Sequence, residues 1–413
     1  MRINFCDLSL PYLAFHPRLT HPDLDFSAAC SRSKPETMTE NVQSTRLTAS
    51  CHCRANQFTF SVPTTSLPLL AYLCHCNISR RISGSLFTSY VAVPAANAPP
   101  DLRNLTAYKS SNILTRWFCT TCSTHLFLEY SADGAWWTST GTLDRSNGIV
   151  SFKGNMWIGD TIDGGASDWI RQLDDRTAER WLTEPQTSAA VPLGWHAPPA
   201  TSSAPSPPAA LLPARCHCGG VRFTIARPSA GAAPPQPPPP FPDLTHPRAA
   251  HPDRANAANA PWWRPGGGAR YLAGHCACAS CRLIAGHDVA QWAFVPTAAI
   301  ALPGGAPFPP EERAWGTMRA YRSSEGVTRR FCGVCGASLF WDGEERPQLV
   351  DVAVGVLDAE SGARAEEWLV WWTGRVSYAE EALNRVLVES LERGLKEWAK
   401  RERAETETEG RKE

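Results

Sequence analysis

The 413-residue chain carries no net charge, because 40 Lys and Arg are matched by 40 Asp and Glu. Sequence-independent nucleic-acid binding needs a basic surface that displaces condensed counterions, so this balance removes the electrostatic reason to expect it. Long apolar runs are also missing, and none approaches the roughly 18 to 20 residues of a membrane-spanning helix. The opening "MRINFCDLSLPYLAFHP" makes a poor secretory leader, since Asp7 and Pro11 interrupt its apolar stretch and no small-residue cleavage site follows. These absences point to a cytoplasmic protein with no membrane partner, a nuclear location being left open. Hydrophobic residues (43%) outnumber charged ones (19%), enough for two or three domains that each bury a core.

What the chain does have is 15 cysteines. Reducing compartments disfavour disulfides, so clustered thiols there point to metal binding or catalysis. The clusters recur. The segment "AYKSSNILTRWFCTTCSTHLF" (107–127) matches "AYRSSEGVTRRFCGVCGASLF" (320–340) without a gap, with 12 of 21 positions identical or Lys/Arg. Upstream, "SCHCRANQFTF" pairs with "RCHCGGVRFTI" and "CHCNISRRISG" with "CACASCRLIAG". The chain is a tandem duplication. The offset between copies grows from 165 at the first cluster to 202 at the second and 213 at the third, which locates insertions of 37 and 11 residues in the second copy.

The expected organisation is an N-terminal extension over 1–45, a first repeat over 46–185, a linker rich in Pro, Ala and Ser over 186–210, and a second repeat over 211–380. Residues 381–413 would form an amphipathic helix and charged tail. The extension lacks periodicity and is expected to be disordered; Met38 offers an alternative start that would dispense with Cys6 and Cys30. The insertion at about 228–268 is so rich in Pro, Ala and Gly that it reads as a surface loop. Leu383, Leu387, Leu391, Leu395 and Trp398 recur at helical spacing, marking a docking helix, or one that binds a protein partner. Short aromatic and β-branched runs such as "NQFTFSV", "SLFTSYVAV" and "QWAFV" make both repeats mainly β.

Thiol spacing carries the chemistry. Residues two apart on a strand project to one face, so Cys-x-Cys delivers two sulfurs to one point, and Cys-x-x-Cys does the same from a turn. Two such pairs make a closed four-thiolate zinc shell. The second copy has seven cysteines, which do not divide into two fours. If Cys216, Cys218, Cys332 and Cys335 close one site, Cys276, Cys278 and Cys281 leave a metal with a vacant position, as in catalytic zinc. Other partitions stay open: disulfides, or a second structural site closed by His275 or His287. His75 and His217, inside Cys-x-Cys pairs, are expected to point to the opposite, solvent-facing side. The first copy keeps Cys51, Cys53, Cys119 and Cys122. Its middle cluster retains Cys74 and Cys76, but Ser79 stands where the second copy has Cys281, and a hydroxyl is a poor zinc ligand, so weak or absent metal is expected there.

The order Cys-x-Cys, His-Cys-x-Cys-x-x-Cys-Arg, Arg-x-Phe-Cys-x-x-Cys-Gly and a "GVLD" strand resembles the glutathione-dependent formaldehyde-activating enzyme and centromere protein V family. The second copy carries it in "RCHCGGV", "GHCACASCRL", "TRRFCGVCGASLF" and "VGVLD"; the first carries a reduced form in "SCHCRAN", "LCHCNIS", "TRWFCTTC" and "TGTLD". The resemblance implies two tandem β-tent-like zinc-binding domains with a C-terminal helix. It further implies structural zinc at Cys216, Cys218, Cys332 and Cys335, catalytic zinc at Cys276, Cys278 and Cys281, and a carbon-sulfur lyase that joins glutathione and formaldehyde. Arg282 would then either bind a substrate carboxylate or donate to backbone carbonyls. The rival expectation is a non-catalytic structural zinc module for protein interaction.

Overall fold

Alternation along the chain sets the first hairpin. In "STRLTAS" and "QFTFSVP", Leu47, Ala49, Phe60 and Val62 face inward while Thr59 and Ser61 face solvent, and Ser44–Ser50 pairs antiparallel with Gln57–Pro63 so that Leu47 lies opposite Phe60. The same hairpin opens the second repeat, with Leu211–Arg215 against Arg222–Ala226. The computed structural model describes residues 43–97, 100–198, 209–229 and 235–409. Cys6, Cys30, Met38 and nearly all of the N-terminal extension lie outside the described residues, as does part of the linker.

The fold is mainly β. In the second repeat, one seven-stranded sheet runs in the order Met318–Ser324, Val327–Cys332, Ser338–Gly343, Leu349–Ala353, Ala290–Pro296, Tyr271–Cys276, Leu369–Trp371, antiparallel except for its final parallel pair. The first repeat follows the same succession in two pieces. Leu105–Lys109, Leu114–Cys119, His125–Tyr130, Trp136–Ser139 and Tyr90–Ala92 form five strands, and Leu69–Cys74, Val150–Met156 and Glu179–Arg180 form a parallel three. An isolated bridge from Cys74 to Thr88 joins the two pieces.

Each repeat has one short helix after its middle cysteine cluster: α1 (Asn77–Ser83) and α2 (Ala279–Ala285). Both are capped at the start by a cysteine sulfur, Cys76 or Cys278, and both end on a left-handed glycine, Gly84 or Gly286. Those glycines touch the other repeat. The Gly355 N–H donates to the Gly84 carbonyl (2.8 Å) and the Gly141 N–H to the Gly286 carbonyl (3.1 Å). The pairing is reciprocal elsewhere too, with Tyr321 on His52 (2.8 Å) and Tyr108 on His217 (2.7 Å). The repeats therefore meet as an internal pseudo-symmetric dimer, with one core of buried apolar side chains running through both.

One expectation changes on contact with the structure and another, the docking helix, is met. The Pro-rich insertion packs: Leu244 and Trp263 are buried, Trp262 lies edge-on to Phe294 at 5.0 Å, and its indole N–H donates to the Pro239 carbonyl. Its aromatic pair supplies apolar area, while prolines lower the entropy that ordering removes. The C-terminal helix α3 (Arg385–Glu409) docks through Leu387, Leu391 and Leu395, all fully buried, and through Trp398 against Trp169. Leu383 precedes its first turn. No helix among the described residues is long and apolar enough to cross a membrane.

Candidate metal centres

Strand-turn geometry brings eleven of the thirteen described cysteines into three groups. Cys51 and Cys53 sit in the turn of the first hairpin; Cys119 ends its strand and Cys122 follows in the next turn. Their sulfurs lie within 4.8 Å of one another, Cys53 being 3.5 Å from Cys51 and 3.6 Å from Cys119. Cys216, Cys218, Cys332 and Cys335 repeat the arrangement, with Cys218 3.5 Å from both Cys216 and Cys332. A tetrahedron of thiolates about 2.3 Å from zinc has edges of about 3.8 Å, so both quartets suit that ion. Backbone N–H groups of Asn56, Val221 and Cys335 donate to Cys51, Cys216 and Cys332, as sulfurs carrying negative charge require.

The third group has three members, Cys276, Cys278 and Cys281. Cys276 ends its strand, Cys278 caps α2, and Cys281 occupies the helix's first turn, where its N–H donates to the Cys278 sulfur (3.3 Å). No histidine or carboxylate joins them within that spacing among the described residues. His275 is buried between Trp169 and Trp371, each with ring centroids 5.1 Å away. His287 instead accepts from the Ser89 N–H. Neither serves as a fourth ligand in this arrangement.

The setting of this trio is one-sided. Ala285, Ala290, Trp292 and Ala353 pack against Cys276 and Cys281, and a narrow space beside Cys281 is walled on its far side by Ser83, Gly84 and Ser85 of the first repeat. The buried Arg329 places a guanidinium nitrogen 3.3 Å from the Cys281 sulfur. Hydrogen bonds from Cys276 and Cys278, and then the Arg329 charge, hold the Cys281 thiol well below its ordinary range. Nearby Asp351 is pushed up to about 6 by burial, against the pull of Arg346, which pairs with it at 2.9 Å. Arg329, Arg346 and Asp351 escape a search for cysteine spacing. The signal for Arg329 was present: it is the arginine of "TRRFC", matched by Arg116 in "TRWFC".

In the first repeat Cys74, Cys76 and Ser79 occupy equivalent places. The Ser79 N–H donates to Cys76 (3.3 Å) and its hydroxyl to Cys74 (3.5 Å). No third thiol, imidazole or carboxylate joins this pair in such a group among the described residues. His75 and His217 are not solvent-facing as expected. His75 is fully buried and bonded to Asn155, and His217 is half-buried against Tyr108. Arg282 donates to the Gly141 carbonyl of the first repeat, which is the backbone-donor alternative.

A family model described as glutathione-dependent formaldehyde-activating enzyme matches residues 46–160 and again 268–374, together more than half of the chain. Cys216 and Cys218 lie outside the second match yet complete a quartet with Cys332 and Cys335, which lie inside it. No curated protein and no solved structure matches the chain.

Proposed function

The chain belongs to the glutathione-dependent formaldehyde-activating enzyme family, and from that premise we propose that its second repeat is a zinc-dependent carbon-sulfur lyase. Its substrates would be a thiol, glutathione by the family's chemistry, and formaldehyde or a related aldehyde. Cys276, Cys278 and Cys281 would hold the catalytic ion. Cys216, Cys218, Cys332 and Cys335 would hold structural zinc in the same repeat, and Cys51, Cys53, Cys119 and Cys122 in the first. One observation carries this reading: three sulfurs converge without a fourth protein donor among the described residues, alongside two complete quartets.

Zinc bound by three thiolates would keep a substrate thiol ionised and offer positive charge beside an aldehyde oxygen. The net change is simple. A sulfur-carbon bond forms, the carbonyl becomes a hydroxyl, and the thiol proton ends on that oxygen. The protein's share is positioning and charge. Arg329 offsets the negative charge of the sulfurs, and the indole and methyl surfaces of Trp292, Ala290 and Ala353 keep that side dry. The first repeat, which lacks a third thiol at Ser79, acts as scaffold by clasping α2 at Gly286 and Arg282.

The test is thiol-dependent loss of formaldehyde, followed by NMR of the hydroxymethyl adduct. Wild-type protein is expected to accelerate it and Cys281→Ser to abolish the acceleration with the fold intact by circular dichroism. Full activity in Cys281→Ser would contradict the reading.

A further inference from the structure

The internal symmetry sets the two middle clusters side by side. Cys76 caps α1 as Cys278 caps α2, and Arg116 stands where the second repeat has Arg329. Ser79 replaces the third thiol. Two sulfurs and a hydroxyl make a poor zinc shell, which leaves Cys74 and Cys76 with the chemistry of thiols. Both are partly exposed, whereas Cys276 and Cys281 are buried.

The surroundings of these two sulfurs divide one proton unequally between them. Ser79 touches both, its N–H donating to Cys76 (3.3 Å) and its hydroxyl to Cys74 (3.5 Å). Buried Arg116 reaches the same place. Its guanidinium donates to Ser79 (3.3 Å), Tyr90 (2.9 Å) and Ser110 (3.2 Å), all neutral oxygens, so the charge that answers it is the neighbouring Cys76 sulfur. The hydrogen bond from Cys74 leads, Ser79 and the Arg116 charge add to it, and together they outweigh burial and hold the Cys76 thiol below its ordinary range. That same hydrogen bond, with burial, pushes Cys74 up. The pair is a thiolate at Cys76 with a protonated thiol beside it.

A partly exposed thiolate that is held by a guanidinium and adjoins a second thiol has what reaction with a peroxide requires. The second repeat differs on each count, because its equivalent sulfurs converge as a trio suited to a metal. We propose that Cys74 and Cys76 are a peroxide-reactive dithiol, in which Cys76 attacks a hydroperoxide and Cys74 closes a reversible disulfide. As the Cys76 sulfur bonds to one peroxide oxygen, the O–O bond breaks, leaving a sulfenic acid on Cys76 and a hydroxide or alkoxide that takes up a proton. The Cys74 sulfur then bonds to the Cys76 sulfur, the S–O bond breaks, and the displaced hydroxyl leaves as water with the Cys74 proton. The peroxide is reduced by two electrons and the dithiol oxidised by two. Arg116 and the Ser79 hydroxyl are placed to steady the charge on the leaving oxygen. This does not depend on the reaction proposed for the second repeat.

Treating the zinc-loaded full chain with equimolar hydrogen peroxide, then alkylating and digesting it with trypsin, tests the proposal. The tryptic peptide 55–80 holds Cys74 and Cys76 and no other cysteine. It is expected to lose two hydrogens and escape alkylation ahead of the peptides that carry the quartets and the trio, and to recover both thiols on reduction. Cys74→Ser should stop at a Cys76 sulfenic acid that dimedone captures, and Cys76→Ser should leave the peptide unreactive. Arg116→Gln loses a charge-assisted contact and should slow oxidation of this peptide at least roughly tenfold, with Arg116→Lys restoring part of the rate. A wild-type peptide that stays fully alkylated, a wild-type rate in Arg116→Gln, or dimedone capture in Cys76→Ser rather than in Cys74→Ser would each overturn the proposal.

Discussion

Substituting Gly84 with alanine probes a close approach of the two repeats. Gly84 ends α1 at φ 76°, and a Cβ there would lie 2.5 Å from the Ser338 carbonyl oxygen and 2.9 Å from the Ala353 Cβ. The left-handed conformation alone costs a non-glycine residue about 1–2 kcal/mol. Separating two packed backbones adds about 1–3 kcal/mol, and the Gly355 N–H bond to the Gly84 carbonyl, worth about 1 kcal/mol, is lost in doing so. The expected destabilisation is about 4 kcal/mol. Gly134→Ala is the control, because Gly134 has φ 68° but nothing within 4 Å of its virtual Cβ, so only the conformational cost of about 1 kcal/mol applies. Guanidinium denaturation of both variants, at an unchanged dependence on denaturant, isolates the contact between repeats as the difference. If the two variants lost equal stability, the repeats would not meet as described.

Three further outcomes follow from the same geometry. Burial pushes His125 down to about 4; because its folded value lies below the ordinary 6.5, its neutral form stabilises the fold above that pH and this contribution is lost on acidification through 6.5 toward 4. At about 1.4 kcal/mol per pH unit the loss reaches about 3 kcal/mol, and His125→Gln should flatten the pH dependence of the denaturation midpoint over that window. Leu391→Ala removes a fully buried side chain of α3 and should cost about 2–5 kcal/mol by the same denaturation measurement. Arg329→Met removes the guanidinium beside Cys281; chelator competition should show a roughly 10- to 100-fold weaker hold at the second-repeat trio and unchanged retention by the two quartets.

The β character and the duplication were legible in sequence because both rest on local pattern. The hairpin alternation around Leu47 and Phe60 is a period of two, and the 107–127 match needs no gap. The convergence of Cys51, Cys53, Cys119 and Cys122 was legible too, since paired thiols on strands and turns have few ways to point. What could not be read was what lies across each strand. His75 and His217 were expected to face solvent, but His75 is covered by Asn155 and His217 by Tyr108 of the other repeat. Arg346 and Asp351 reach the neighbourhood of Cys281 from segments with no cysteine near them, so spacing along the chain held no trace of them. The Pro-rich insertion hid a packing aromatic pair inside a composition that otherwise signals exposed chain.

The proposed catalytic centre is a shell of three sulfurs in the second repeat that no fourth donor completes among the described residues. Cobalt substitution of the full chain, followed by glutathione titration, examines this directly. With two quartets and one trio, the visible spectrum of a single class of ion should change on thiol addition, saturably, while the two quartet ions stay spectrally fixed; Cys281→Ser should remove that response alone. A spectrum indifferent to thiol, with all bound ions showing closed four-sulfur coordination, would contradict it.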